Sequence, residues 1–269
     1  MSALLYFSKM HGLGNDFVLL DGISQSLPPL SPQTVHALAD RHCGIGFDQL
    51  LLLTPATQGG DFHYRIYNAD GSEVGQCGNG VRCAHVFAIQ RGLTSKQQLL
   101  FETMTTQIRT QIIGTKCVRA FMPPAQVFAQ QQAEGHLFSH LDIGNPHYVC
   151  LQGGDISDAE IIRIGEILNK SVAGGVNVGF AKIEADNIQL RVYERGAGLT
   201  KACGSGALAA AVAAIGAQQV NNPTTVTMPG GCLSCGTSCS TEGDDSIWLE
   251  GEVNHVFDGT LSLSEIGNE

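Results

Sequence analysis

The chain has 269 residues, of which 43% are apolar and 15% charged, a composition typical of a folded globular protein rather than a disordered one. Its formal net charge is −10 and it has no basic cluster interleaved with aromatic residues, so nucleic acid is not an expected partner. The apolar stretch 207–217 is shorter than the roughly 20 residues that a bilayer needs, and residues 1–9 lack the features of a secretory signal. We therefore expect a cytoplasmic protein without a membrane partner.

Short apolar runs separated by glycine predict strands along most of the chain, the clearest being 17–20 and 188–193. Serine caps precede two of the predicted helices, at Ser31 before Pro32 and at Ser157 before Glu160. The predicted helices are residues 31–41, 79–90, 157–168 and 206–217. Each half of the chain thus combines strands with two helices.

Several unusual strings occur twice in the same order. YNADG (67–71) precedes CGNG (77–80), and YERGA (193–197) precedes CGSG (203–206), so that the two cysteines lie 126 positions apart. A glycine–asparagine pair at 14–15 similarly matches one at 144–145. The common order indicates a duplication. We expect two similar domains, 1–121 with Cys77 and 122–269 with Cys203, leave open a return of the last strand to the first domain, and expect a ligand site in the cleft between them.

Each repeated cysteine stands directly before a predicted helix. At such a position the unpaired N–H groups and the helix dipole favour an anion, so we expect the pKa of both thiols to fall from about 8.5 towards neutrality. The same N–H groups suit a substrate carboxylate. For one cysteine beside a glycine, a small buried packing residue is the better interpretation. Its repetition at Cys77 and Cys203 favours chemistry instead.

The chain has nine cysteines, an odd number that favours reduced thiols. Packing explains most of the others: Cys83 is expected to face the core, and three more lie in apolar runs, namely Cys43, Cys117 and Cys150. The spacing Cys232-x2-Cys235-x3-Cys239 is compatible with a metal site or a thiol relay, but His255 is the only further ligand nearby. We therefore expect no metal.

The repeated strings also carry polar side chains. Four asparagines belong to them, and their neutral donors and acceptors suit a zwitterionic ligand, although each alone is equally typical of a turn. They are Asn15, Asn68, Asn145 and Asn177. Two further positions differ from their counterparts in the other half: His147 and Glu194 could each set the protonation of a cysteine, while His147 could also be purely structural.

Eight strings spread over the chain together resemble the diaminopimelate epimerase family, within the wider group of two-cysteine racemases that includes proline racemase. The strings are KMHGLGNDF (9–17), GFDQL (46–50), NADGSE (68–73), QCGNGVRC (76–83), GNPH (144–147), YERGAG (193–198), ACGSGA (202–207) and PGG (229–231). The resemblance implies a fold of two pseudo-symmetric α+β domains. Each would be a curved, barrel-like, mainly antiparallel sheet around a central helix, with the active site in the interdomain cleft.

The resemblance also implies a reaction and a site. The substrate would be LL-2,6-diaminopimelate, converted to the meso form without cofactor or metal by a homodimeric enzyme of lysine and peptidoglycan precursor synthesis. Cys77 and Cys203 would be the acid/base pair, with His147 and Glu194 tuning the thiols. The implied substrate-binding residues are Asn15, Gln49, Asn68, Gly78, Asn79, Asn145, Asn177, Glu194, Arg195, Gly204 and Ser205.

Departures from the family pattern occur at 103–107, at 171–176 and at Leu199, where an acidic residue is common, so the shape of the distal pocket is not fixed by the resemblance. Two alternatives stay open. One is a racemase of another amino acid, of the proline or hydroxyproline type. Arg195 and the asparagines argue against it, because they suit a second zwitterionic end of the substrate, which proline lacks. The other is a non-catalytic thiol-binding or redox protein that uses the cluster beginning at Cys232.

Overall fold

The computed structural model describes residues 4–238 and 246–262. Contacts between Cα atoms divide the chain into two compact units, Met1–Ala120 with Glu252–Glu269 and Phe121–Gly251. The fold is of the predicted α+β class, and the strands curl without closing into a barrel. No helix in the described part of the chain is long and apolar enough to span a membrane.

The first unit is built from eight strands and two helices in its continuous part. The elements are β1 (Leu4–Gly12), β2 (Asn15–Asp21), α1 (Pro32–Ala39), β3 (Gln49–Pro55), β4 (Phe62–Asn68), β5 (Glu73–Val74), α2 (Gly78–Gln90), β6 (Gln98–Glu102), β7 (Gln107–Ile112) and β8 (Cys117–Met122). The predicted domain boundary at 121/122 falls inside β8. Strand β2 runs parallel to β3 and β4 parallel to β6, while β1–β2, β3–β4, β4–β5 and β6–β7 are antiparallel.

The second unit repeats this pattern. Its elements are β9 (Gln126–Val127), β10 (Gln131–Ala133), β11 (His136–Asp142), β12 (Pro146–Cys150), α3 (Asp158–Ser171), β13 (Asn177–Glu184), β14 (Asn187–Glu194), β15 (Gly198–Thr200), α4 (Gly204–Gly216), β16 (Thr224–Met228), β17 (Gly231–Ser238) and β18 (Ser246–Glu252). The pairs β12–β13 and β14–β16 are parallel, and β11–β12, β13–β14, β14–β15 and β16–β17 are antiparallel. From β11 to β18 the order of strands and helices matches that from β1 to β8, which confirms the predicted repeat of one α+β unit, while β9 and β10 are additional strands of the second unit. The last strand, β19 (Asn254–Ser262), pairs antiparallel with β1.

All four predicted helices are present, with ends shifted by a few residues. Ser31 Oγ accepts the Thr34 N–H at 3.1 Å and Ser157 Oγ accepts the Glu160 N–H at 3.3 Å, so both expected caps form. Helices α2 and α4 are buried around most of their circumference, which identifies them as the central helices of their units. In α4 this burial is possible because the segment 207–211 is four-fifths alanine, whose small side chains let strands approach closely.

Candidate active site

Cys77 is the N-cap residue of α2. Its backbone is extended, with φ −149° and ψ 109°, and its Sγ accepts the Gly80 N–H at 3.3 Å. The side chain is half-buried. Gly78 and Asn79 are the first two helical residues, where N–H groups have no acceptor within the helix. The thiol therefore lies at the positive end of the α2 dipole, as the sequence predicts.

Cys203 caps α4 in the same way. Its φ and ψ are −127° and 108°, and its Sγ accepts the Gly206 N–H at 3.3 Å. Gly204 begins the helix, and the hydroxyl of Ser205 lies 3.5 Å from Cys203 Sγ. In contrast to Cys77, this side chain is buried, with 4% of its surface exposed.

The expectation that the helix terminus makes both thiols acidic is wrong for Cys203. Burial raises the pKa of the Cys203 thiol well above its usual value, and the negative charge of Glu194 raises it further. The hydrogen bonds from Ser205 and the Gly206 N–H act in the opposite direction but are smaller effects. Desolvation and a neighbouring carboxylate thus outweigh the helix dipole, and Cys203 is a protonated thiol at neutral pH.

The predicted polar residues of the first unit fall into two hydrogen-bonded pairs. Gln49 and Asn68 face each other across β3 and β4, and Gln49 Nε2 donates to Asn68 Oδ1 at 2.9 Å. Asn79, with 3% of its surface exposed, places its Nδ2 3.5 Å from Asn15 Oδ1. On its other side Asn79 Oδ1 accepts from the Arg82 guanidinium at 2.8 Å. The orientation of the Asn79 amide is therefore fixed.

A charged cluster that received no role from sequence holds Asn15 in place. Asn15 Nδ2 donates to Asp48 Oδ2 at 2.9 Å, and Arg41 donates to Asp48 Oδ1 at 2.8 Å. Arg41 also binds Asp16 at 2.7 Å, and Lys9 binds the other oxygen of that carboxylate. The hydrogen bonds and charges of Arg41 and Lys9 overcome the effect of burial and lower the pKa of Asp16 to about 2. Asp48 lies inside the GFDQL string, so its position next to Gln49 was the available signal.

In the second unit the predicted residues form a continuous polar chain that ends at Cys203. His147 Nε2 lies 3.1 Å from Asn145 Oδ1 and 3.4 Å from Asn177 Nδ2. Asn145 Nδ2 in turn donates to Ser205 Oγ at 3.5 Å, and this hydroxyl contacts the Cys203 sulfur. The structure thus links His147 to the buried thiol through two intermediate side chains.

His147 is a neutral imidazole in this setting. Only 1% of its surface is exposed, and burial, followed by the positive charge of Arg195, lowers its pKa to about 3. It can therefore orient Asn145 and Asn177 by hydrogen bonding. It does not supply a positive charge to a thiolate at neutral pH.

The remaining predicted residues lie at the end of β14. Asn177 Oδ1 accepts the Arg195 backbone N–H at 2.9 Å, and the exposed Arg195 guanidinium donates to the Gly174 carbonyl at 3.1 Å. Glu194, beside Cys203, also accepts a short hydrogen bond from the Thr200 hydroxyl. Thr200 had no predicted role; its partner becomes apparent only when β15 folds back on β14.

Strand register shows which positions of the two units correspond. Phe17 pairs with Gln49 and Gln49 with Asn68, just as His147 pairs with Asn177 in the second unit. Glu194 takes the place of Asn68 at the end of the matching strand. The half that contains Cys203 therefore has an imidazole where the other has a buried phenylalanine, and a carboxylate where the other has an amide.

The other cysteines divide between core and surface. Cys83 and Cys150 are buried as expected, and burial raises the pKa of Cys83 to about 12. Cys43 is exposed, contrary to expectation, because it lies in the turn after α1 where its neighbours are exposed as well. Cys117 is half-buried.

The Cys232 cluster does not assemble within the part of the chain that the structure describes. Cys232 is exposed and Cys235 buried, on opposite faces of β17, so their side chains cannot share a ligand. Cys239 lies outside the described residues. Among residues 4–238 and 246–262, no group of three or more histidine, cysteine, aspartate or glutamate side chains could hold a metal ion.

Comparisons with known proteins agree with this architecture. The sequence profile of the diaminopimelate epimerase family matches residues 7–126 and 140–256. Among solved structures, a hydroxyproline epimerase from Agrobacterium vitis with bound trans-4-hydroxy-L-proline superposes with a TM-score of 0.73 at 15% identity, covering 96% of this chain and 91% of that chain. A probable proline racemase from Agrobacterium radiobacter K84 gives 0.74 at 15% identity, covering 96% and 93%. A Bacillus anthracis phenazine biosynthesis protein of the PhzF family gives 0.71 at 13%, covering 96% and 99%. At these identities the likeness concerns the fold.

Proposed function

The chain belongs to the diaminopimelate epimerase family and is an isomerase of the epimerase type, and from this premise we propose that it converts LL-2,6-diaminopimelate to the meso form. The observation that carries the proposal is the pair of cysteine N-caps at matched positions of the two units, each accepting a helix N–H at 3.3 Å. Packing alone gives no reason for a thiol at both positions.

The proposed reaction needs one base and one acid. A thiolate removes the α-proton and becomes a thiol, and the second thiol delivers its own proton to the opposite face of the carbanion, so that charge and protons balance. N–H groups at the start of α2 and α4 stabilise the substrate carboxylate and the negative charge that develops beside it. Since the Cys203 thiol is protonated, it is the proton donor in the resting enzyme, and Cys77 is the base.

The polar side chains support a substrate with two amino-acid ends. Asn68, Asn177 and Glu194 offer neutral and negative acceptors suited to an ammonium group, and the Arg195 guanidinium suits a carboxylate. Proline and hydroxyproline have no second zwitterionic end to engage such a set. Diaminopimelate does.

Incubation of the purified protein with LL-diaminopimelate in deuterium oxide tests the proposal. We expect meso-diaminopimelate that carries deuterium at the inverted carbon. Replacing either thiol, by Cys77→Ser or Cys203→Ser, is expected to lower turnover by about 10²–10⁴-fold, the range typical of a lost general acid or base. Wild-type turnover in either variant would contradict the two-thiol mechanism.

The same assay with L-proline and trans-4-hydroxy-L-proline separates the alternatives. Exchange with these substrates and none with diaminopimelate would assign the chain to another racemase of the group. Absence of exchange with every amino acid, together with reversible thiol oxidation, would favour a thiol-binding or redox protein. A homodimer and a cytoplasmic location belong to the same proposal, and light scattering and cell fractionation test them.

A further inference from the structure

Tyr64 lies on β4 with its side chain directed at the start of α2. Only 1% of its surface is exposed, and its hydroxyl has no hydrogen-bond partner among the described residues. A Cβ atom added at Gly80 would lie 2.3 Å from Tyr64 Oη, so the hydroxyl is packed directly against the first turn of α2. Gly80 is also the residue whose N–H binds the Cys77 sulfur. Tyr64 and Cys77 thus contact the same residue.

A buried tyrosine hydroxyl normally finds a partner, because leaving it without one destabilises the folded state. Phenylalanine would fill the same space without this cost. Within residues 4–238 and 246–262 no acceptor binds the Tyr64 hydroxyl, so its proton is not committed. Burial raises the pKa of Tyr64 well above its usual value, and negative charge on Cys77 or on Cys83 raises it further, so the hydroxyl stays protonated.

We propose that Tyr64 is a positioning residue for Cys77, which packs against the first turn of α2 at Gly80 and directs its uncommitted O–H dipole to stabilise the Cys77 thiolate. The catalytic part of this inference rests on the proposed function, in which the Cys77 thiolate removes the α-proton. A dipole in a buried site of low dielectric acts more strongly than in water. The hydroxyl is therefore most useful when the thiolate forms.

The pH dependence of iodoacetamide alkylation at Cys77, resolved by peptide mass spectrometry, measures the effect without any substrate. In Tyr64→Phe we expect the midpoint of alkylation to move to higher pH. The matched control is Tyr67→Phe, which removes a hydroxyl from the same strand on the face that packs against α1. Its alkylation midpoint should equal that of the wild type.

Two further measurements distinguish positioning from a purely structural role. Tyr64→Phe removes an unpartnered buried hydroxyl, so its Tm should rise by about 2–4 °C. Its kcat for diaminopimelate should fall by about tenfold, the equivalent of one hydrogen bond, with a smaller change in KM. If the hydroxyl only stabilised the fold, Tyr64→Phe would lower Tm. If the hydroxyl had no effect on Cys77, Tyr64→Phe would leave kcat and the alkylation midpoint unchanged. Either result would overturn the proposal.

A double-mutant cycle tests the packing itself. Gly80→Ala should lower Tm because its methyl group meets Tyr64 Oη, and the loss should be smaller when Tyr64→Phe is also present. Additive effects would show that the hydroxyl does not pack against this turn and would contradict the proposal. Since alkylation and Tm require no turnover, they decide the role of Tyr64 separately from the identity of the substrate.

Discussion

The buried imidazole of His147 makes the stability of the second unit depend on pH in a specific direction. Its pKa is about 3 in the folded state and 6.5 for an unperturbed histidine, so the unfolded chain binds a proton that the folded chain excludes. Stability is unaffected above pH 6.5 and falls as the pH decreases from there towards 3. A pH of 5 lies about 1.5 units below the pKa of an unperturbed histidine, so protonation of the unfolded chain lowers the free energy of unfolding by about 2 kcal/mol.

The single tryptophan, Trp248, lies buried in the same unit and reports on its unfolding. Urea unfolding followed by its fluorescence at pH 8 and pH 5 should show the loss as a decrease of about 1 M in the midpoint, for a slope of about 2 kcal/mol/M. In His147→Gln, the urea midpoint should fall by about 1 M less between pH 8 and pH 5 than in the wild type. His140→Gln, at a partly exposed histidine of the same unit, is the control. Parallel pH dependence in wild type and His147→Gln would refute the reasoning.

Three other side chains give separate tests. Glu194→Gln removes the carboxylate that raises the pKa of Cys203, so alkylation of Cys203 should begin at lower pH; an unchanged profile would show that burial alone controls this thiol. Asp48→Ala removes the acceptor of the Asn15 amide and should raise KM for the proposed substrate by about tenfold with less effect on kcat, whereas an unchanged KM would remove Asn15 from the proposed binding set. Glu102, 2% exposed, accepts three backbone N–H groups of the loop 57–60 at 2.6–2.8 Å; Glu102→Gln should lower Tm and expose this loop to proteolysis, and an unaltered Tm would contradict that anchoring role.

Sequence sufficed for the features that depend on neighbouring residues. The caps at Ser31 and Ser157 and the glycine-led starts after Cys77 and Cys203 are local signals, and all four helices formed where these signals lie. The repeated order of strings also anticipated the repeated strand pairing. Such features are encoded within a few residues, so composition and spacing reveal them.

The acidity of the Cys203 thiol could not be predicted in this way. The helix terminus at Cys203 is a local feature, but the burial and the Glu194 charge that reverse its effect come from other strands. Tyr64 beside Gly80 is a similar case, because β4 and α2 meet only in the folded unit. Asp48 belongs to the GFDQL string, yet its hydrogen bond with Asn15 depends on how β2 and the residues before β3 meet in the folded unit.

The substitution of Glu194 for Asn68 at matching strand ends has an evolutionary meaning. In an ancestor assembled from two identical chains with one unit each, both cysteines would have the same neighbours and therefore the same pKa. Duplication within one chain lets selection act on each copy alone, so that one half can acquire a carboxylate and an imidazole while the other keeps an amide and a phenylalanine. In the proposed mechanism, the proton donor and the proton acceptor are then each specified by the sequence of one half.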